Sequence, residues 1–263
     1  MGSGGSARRI RYECDGDVGI ITLADPPLNL FGYELTNELI AALEEAEGDM
    51  IRALVVRADG DVFTGGVDVH VFADKTPEQA QMFFRDLVAI THKIEDLDLP
   101  VIASVQGLCL TAGFELALAC DMILAAESAR FGLVEIVVGL TPAMGGTQRI
   151  AERAGPARAR ELVMTGGLYD APTLERWNVI NRVLPDTELR DETLSFANKL
   201  AAGPTRANAA TKRMVRAYLQ HGVRGADDRV GEIAAPLFAT EDLQNAVRSF
   251  LEEGPGKATF QGR

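Results

Sequence analysis

The sequence predicts an α/β fold in one domain, with helices taking over its last third. Two observations carry that prediction. β-Branched, strand-like runs alternate with helix-periodic stretches through about residue 140, the signature of a layered sheet-and-helix architecture. From there on the segments are mostly helical, and no fixed-period repeat, long linker or internal low-complexity tract divides the chain.

The elements follow in chain order. "IRYECDGDVGIITLA" reads as two short strands around an Asp15-Gly16 turn. "PPLNLFG" is a rigid loop. "YELTNELIAALEEAEG" has helical spacing at Leu35, Leu39, Ile40 and Leu43, with a stop at Gly48. "IRALVVRA" is a buried strand, and "DGDVFTGGVDV" a turn-rich loop. "TPEQAQMFFRDLVAITHKIEDL" opens a helix with Thr76 as cap and Pro77 at the first helical position. "PVIASVQG" is a strand, "TAGFELALACD" a short helix and "MILAA" a strand again. Beyond "GGTQRIAERAG" come the helix-like "ARARELVMTG", "APTLERWN", "DETLSFANKLAAG", "TRANAATKRMVRAYLQHG" and "EDLQNAVRSFLEEG", with one strand at "VINRVLP". Residues 1–9 read as a flexible leader, 10–200 as the core and 201–263 as a helical C-terminal region.

Composition narrows the function classes. Hydrophobic residues make up 47% and charged residues 24%, the balance of a globular protein with a sizeable core. A formal net charge of −12 argues against nonspecific binding to nucleic acid or anionic membrane, because a phosphate-rich surface would be repelled. Cys14, Cys109 and Cys120 form no C-x-x-C pair, so neither a disulfide framework nor a metal site is expected and the setting reads as cytoplasmic. No apolar run is long enough to span a membrane. G-x-G-x-x-G after the first strand, the P-loop pattern, H-E-x-x-H and the G-x-S-x-G elbow are all absent.

The informative residues are two glutamates in apolar runs. Glu115 sits in "TAGFELALACD" among Leu118, Ala119 and Met122. A capping box does not explain it: counting three from Thr111 reaches Phe114, and three back from Glu115 is Ala112, which has no capping side chain. A carboxylate so placed is desolvated, which raises its pKa toward the range of a general acid or base. Glu135 lies 20 residues on (135 − 115), inside "FGLVEIVVGL", read as a strand or tight extended segment. Either glutamate alone has a bland account, helix-dipole placement for one and a solvent-facing edge for the other. Together, bracketing one strand, they favour chemistry, since paired carboxyls in a dry pocket divide acid and base roles. "FTGGVDV" adds Gly65 and Gly66, whose turn offers consecutive N–H groups for an oxyanion, and "LTAGF" adds a helix N-terminus. The alternative for the glycine pair is an ordinary surface turn.

These same stretches carry a resemblance. "FTGGVDV", "VQGLCLTAGFELALACDMILAAESARFGLVEIVVGLTPAMGGTQR" and "FLEEGPGKATFQGR" resemble the enoyl-CoA hydratase/isomerase (crotonase) superfamily, from about residue 10 to the C-terminus. The resemblance implies a spiral of β-β-α turns, a helical trimerisation region, and a homotrimer or dimer of trimers. It implies an acyl-CoA thioester substrate, no separate cofactor, and an oxyanion hole made by the backbone N–H groups of Val67 and Ala112. Glu115 and Glu135 then hold a water between them, Glu135 protonating C2 and Glu115 positioning and deprotonating the water that attacks C3. Substrate contacts are implied at Leu28, Gly65, Gly66 and Asp68, and Lys257 is expected to reach a CoA phosphate from a neighbouring subunit. Val67 and Ala112 depart from the family pattern in being larger than usual; His70 receives no catalytic role, and Met144 and Phe84 are expected to line hydrophobic space. The leading expectation is syn hydration of a 2-enoyl-CoA. The alternative within the fold is an enoyl-CoA isomerase or other acyl-CoA thioester chemistry, since some family members keep both glutamates and do other reactions; an RNA-binding role is disfavoured by charge, and a silent assembly subunit leaves both glutamates unexplained.

Overall fold

The computed structural model describes residues 8–263. Residues 1–7 of the expected leader lie outside the described residues. Arg9, at its end, is anchored: its guanidinium pairs with Asp25 at 2.9 Å and Glu34 at 2.7 Å, and its N–H donates to Glu38.

The chain opens with a hairpin of β1 (Ile10–Asp15) and β2 (Val18–Leu23), antiparallel with Ile10 opposite Leu23. Gly16, at φ +59°, makes the turn together with Asp17, one residue later than the sequence predicts. β2 is buried along its whole length, as a strand covered on both faces must be. Helix α1 (Tyr33–Gly48) crosses to β3 (Ala53–Ala58), and α2 (Pro77–Asp96) crosses to β4 (Val101–Val105). The expected cap of α2 is a full capping box, with Thr76 and Gln79 each bonding the other's backbone N–H. Next come β5 (Leu108–Leu110), α3 (Thr111–Ala119), β6 (Met122–Ala126) and β7 (Arg130–Gly132). They are followed by α4 (Gly146–Ala154), α5 (Pro156–Thr165), β8 (Tyr169–Asp170), α6 (Ala171–Arg176) and β9 (Arg182–Leu184). Helices α7 (Leu189–Ala201), α8 (Thr205–Asp227), α9 (Val230–Ala234) and α10 (Glu241–Glu253) complete the chain, α8 being kinked at Gly222.

The strands form a six-stranded sheet, β1-β2-β3-β4-β6-β9, parallel except for the first pair, and a small sheet, β5-β7-β8. The sequence does not announce β5 or β8, which are too short to show a period. The spiral shows in the repeated order of strand, short strand, helix: β4-β5-α3, then β6-β7-α4. The preceding turn lacks a regular second strand, but two parallel bridges stand in for it, Thr64 to Cys109 and Phe31 to Val67. The bridge from Thr64 sets the 64–67 loop beside β5, which runs directly into α3.

The C-terminal helices are tied back to the core by partly buried polar anchors. Arg52 bonds Thr205 Oγ1 at 2.9 Å and the carbonyls of Gly203 and Phe260. Lys212 Nζ meets Asp121 at 2.9 Å and the carbonyl of Ile94 at 3.0 Å. Large apolar side chains stand exposed in this region, with Phe238 at 69%, Phe250 at 59% and Leu251 at 78% of full accessibility.

Candidate active site

All of α3 is buried, which explains why its sequence is apolar all round. Glu115 is its one ionisable residue, 2% exposed. Its Oε1 accepts two backbone hydrogen bonds, from Met144 at 2.9 Å and Gly146 at 2.7 Å. The donors flank the entrance to α4, Met144 in the loop before it and Gly146 as its first residue, with Gly145 between them at φ +100°. Gly146 is required for close approach rather than for φ: a Cβ there would stand 2.7 Å from Glu115 Cγ. Arg149, buried and paired with Glu95 at 2.7 Å, adds a positive charge nearby. Burial dominates and pushes the Glu115 carboxyl up to about 7, against the opposing pull of the two N–H groups and Arg149.

Glu135 does not lie in a strand. It opens a 3₁₀ turn, Glu135–Val138, after β7 has ended at Gly132. The β-branched run looks strand-like, but Gly139 in the left-handed region (φ +74°) closes the turn, its N–H reaching Ile136 O. The burial is inverted: Glu135 is buried, whereas Ile136, Val137 and Val138 are exposed. Oε2 of Glu135 is buried and accepts no hydrogen bond from the described residues. Burial, followed by the negative charge of Glu115, pushes this carboxyl up to about 7 as well. The two carboxyl groups therefore share one electrostatic site.

The glycine loop differs from the expected open turn. Gly65 N–H donates to Leu28 O at 2.7 Å, Gly66 N–H to Thr64 Oγ1 at 2.9 Å, and Asp68 N–H to Phe31 O at 3.0 Å. Consecutive free N–H groups are thus not what the loop presents. The N–H of Val67 is engaged too, but by a side chain: it donates to Thr111 Oγ1 at 3.1 Å. That bond brings Val67 against the residue preceding Ala112. No side chain caps α3, so the N–H of Ala112, in its first turn, is not held by a cap.

The remaining expected residues separate. Leu28 and Gly65 are joined by their backbone bond, with Leu28 44% exposed. Asp68 is committed locally: its carboxylate caps the 3₁₀ turn Val69–Phe72 and accepts from His70, which holds it below the usual carboxylate range. His70 is solvated. Lys257 is exposed beyond the end of α10 and is not drawn to the glutamates by any contact among the described residues. Phe84 packs against the core, and Met144 is fully buried as expected, but its contact with Glu115 is through its N–H. Thr111, Gly146 and Arg149 escape the sequence reading. The one local signal for them is the glycine pair Gly145-Gly146, which permits close backbone approach.

Comparison with known proteins decides the family. A family model described as "Enoyl-CoA hydratase/isomerase" matches residues 13–263. The chain belongs to the enoyl-CoA hydratase/isomerase family. It is 35% identical over 250 residues to a Mycobacterium tuberculosis protein named "Probable enoyl-CoA hydratase echA8", covering 93% of this chain and 95% of that one. It is 29% identical to the short-chain-enoyl-CoA hydratase of Clostridium acetobutylicum, covering 92% and 94%. Among solved structures, an enoyl-CoA hydratase from Bacillus anthracis superposes with a TM-score of 0.90 at 26% identity, covering 97% of this chain and all of that one. This enoyl-CoA hydratase/isomerase family member thus carries the α/β spiral fold that its motifs imply.

Proposed function

We propose that the protein is an enoyl-CoA hydratase, adding water syn across the double bond of a 2-enoyl-CoA thioester. The observation that carries this reading is the pair of buried glutamates with unlike surroundings. Glu115 Oε1 accepts two N–H bonds and lies near Arg149, which favours its ionised form. Glu135 has an unpartnered buried oxygen and faces the charge of Glu115, which favours its protonated form. Near pH 7 the pair holds about one proton between the two groups. Glu115 then takes a proton from water as its oxygen bonds to C3, and Glu135 delivers its proton to C2. The π electrons pass through the thioester as an enolate, whose oxygen is stabilised at the start of α3 by Ala112 N–H and at the Val67 side of the loop. Each turnover leaves Glu115 protonated and Glu135 ionised, and one proton exchange resets the pair.

Water and the thioester balance the reaction, so no cofactor is required beyond the coenzyme A of the substrate. Leu28 and Gly65 are proposed to meet the CoA, and Lys257 its phosphates from a neighbouring subunit. The apolar faces of α8 and α10, including Val215, Leu219, Phe250 and Leu251, support a trimer or a dimer of trimers. Among the described residues no helix is long and apolar enough to cross a membrane. The free cysteines support a cytoplasmic setting. An isomerase needs only one acid/base carboxyl, and the second buried glutamate is what favours hydration. Calorimetry with acetoacetyl-CoA tests the substrate class: saturable binding is expected, and no heat at millimolar ligand removes the reading.

A further inference from the structure

We propose that Arg149 and Glu95 act as a positioning pair for Glu115, Arg149 fixing the peptide that holds the carboxylate and Glu95 setting how much of the Arg149 charge reaches it. The inference rests on the hydratase reading and deepens it by adding two residues behind the acid/base group. The link is the peptide unit between Gly145 and Gly146. Its N–H, on Gly146, donates to Glu115 Oε1 at 2.7 Å. Its carbonyl, on Gly145, accepts from Arg149 Nη1 at 3.1 Å. A peptide unit is planar, so a grip on the carbonyl fixes the direction of the N–H. A peptide whose carbonyl accepts a hydrogen bond also becomes the better donor at its N–H. The fit is close: Gly145 takes φ +100°, and a Cβ there would stand 1.9 Å from Arg149 Nη1.

The rest of the guanidinium is held by α2. Nε and Nη2 of Arg149 both lie 2.7 Å from Glu95 Oε1. Thr91, one turn earlier on α2, faces the same loop with Oγ1 3.3 Å from Met144 O. Arg149 is buried, whereas Glu95 is partly open to a cleft of about 680 Å³ between α2, α4 and α8. The other charges that face the pair there are engaged elsewhere: Asp96 by Arg216, Asp121 by Lys212, and Arg153 by three backbone carbonyls. Glu152 on α4 and His92 on α2 complete the charged lining. Arg149 draws Glu115 toward its ionised form, and the carboxylate of Glu95 beside that cation weakens the pull. The two partners of one ion pair therefore act on Glu115 with opposite sign. A strut that merely joined α2 to α4 would have no such signature. No bond is made or broken at either residue.

The test is the acidic limb of kcat against pH for crotonyl-CoA hydration, which reports the ionisation of Glu115 in the complex. All variants carry His92→Gln, so that no neighbouring imidazole contributes. Arg149→Gln should lower the plateau by about 10- to 100-fold with KM little changed, and move the limb to higher pH by roughly one pH unit. Glu95→Gln keeps the shape of the side chain, leaves the Arg149 charge unopposed, and should move the limb to lower pH. Arg149→Lys keeps the charge but not the planar fork, so its plateau should stay low while its limb lies nearer to that of the parent. Limbs that move the same way in the two Gln variants, or that do not move, overturn the proposal and leave a structural strut. If Arg149→Gln does not fold, Glu95→Gln decides alone: a lowered limb supports the pair, and an unmoved or raised one overturns it. A wild-type protein that leaves crotonyl-CoA unhydrated at every pH defeats the hydratase reading instead. The carboxyl of Glu115 is then titrated by ¹³C NMR in the glutamate-labelled chain, with Glu115→Gln as the assignment. Opposite shifts in the two variants still support the pair, and parallel or absent shifts overturn it.

Discussion

Replacing Gly146 by alanine tests how tightly Glu115 is held. The added Cβ would lie 2.7 Å from Glu115 Cγ, 3.1 Å from its Oε1 and 3.0 Å from Leu133 Cδ1. Ordinary contact begins at 3.4 Å, so Glu115 must retreat by 0.7 Å (3.4 − 2.7) or the start of α4 must move. Either movement stretches the 2.7 Å bond from Gly146 N–H. A misplacement of about 1 Å at a reacting group costs about 10² in rate, so kcat should fall by about 10- to 100-fold. That bond also holds the Glu115 pKa down, and weakening it moves the acidic limb of the pH–rate profile to higher pH. Overpacking a core costs about 1–3 kcal/mol, and each kcal/mol lowers Tm by roughly 2–4 °C for a chain of this size. The assay is loss of the ultraviolet absorbance of crotonyl-CoA across pH, beside a thermal melt of the same preparation. A folded Gly146→Ala enzyme with wild-type kcat and an unmoved acidic limb refutes the claim that this approach sets the position of Glu115.

Glu115→Gln and Glu135→Gln should each lose about 10²–10⁴ in kcat, and the double variant less than the product of the singles because the pair acts on one water; strict multiplicativity in a folded double variant would count against a shared site. Both carboxyls titrate in the folded chain above their ordinary value of 4.5, at about 7. The folded chain therefore keeps protons the unfolded chain releases, and the stability contributed by the pair is complete below about 4.5 and lost as pH rises toward about 7. Denaturant midpoints across that window should fall less steeply in the double Gln variant than in the wild type, and an equal slope would assign the effect to other groups. Phe250, 59% exposed on α10, should sit in a subunit interface, so Phe250→Asp should convert a trimer or hexamer into smaller species by light scattering; an unchanged mass removes that face from the interface.

The sequence shows this architecture unevenly. Long buried parallel strands such as β2 and β4 are legible because burial on both faces demands continuous apolar runs. Thr76 and Gln79 are legible because a capping box is local chemistry. Glu115 stands out because its helix is otherwise apolar, and burial confirms the desolvation it implies. The extended reading of Glu135 fails because Ile136, Val137 and Val138 mimic a strand, while the left-handed Gly139 that closes the turn carries no periodic signal. Thr111 is invisible for a different reason. Its tie to the glycine loop comes from φ +47° and a hydrogen bond to Val67, a residue 44 positions away, and neither is written in local pattern. The same holds for the N–H groups of Met144 and Gly146, since every residue but proline has one.

The central claim is that the chemical step adds water. Crotonyl-CoA incubated with the enzyme in ¹⁸O-water tests it most directly, with the product analysed by mass spectrometry. Hydration by Glu115 and Glu135 predicts 3-hydroxybutyryl-CoA carrying one ¹⁸O at C3, formed at a rate that collapses in either Gln variant. Unlabelled product from a 3-enoyl-CoA, with no turnover of crotonyl-CoA or longer 2-enoyl thioesters, would contradict the account and make the enzyme an isomerase.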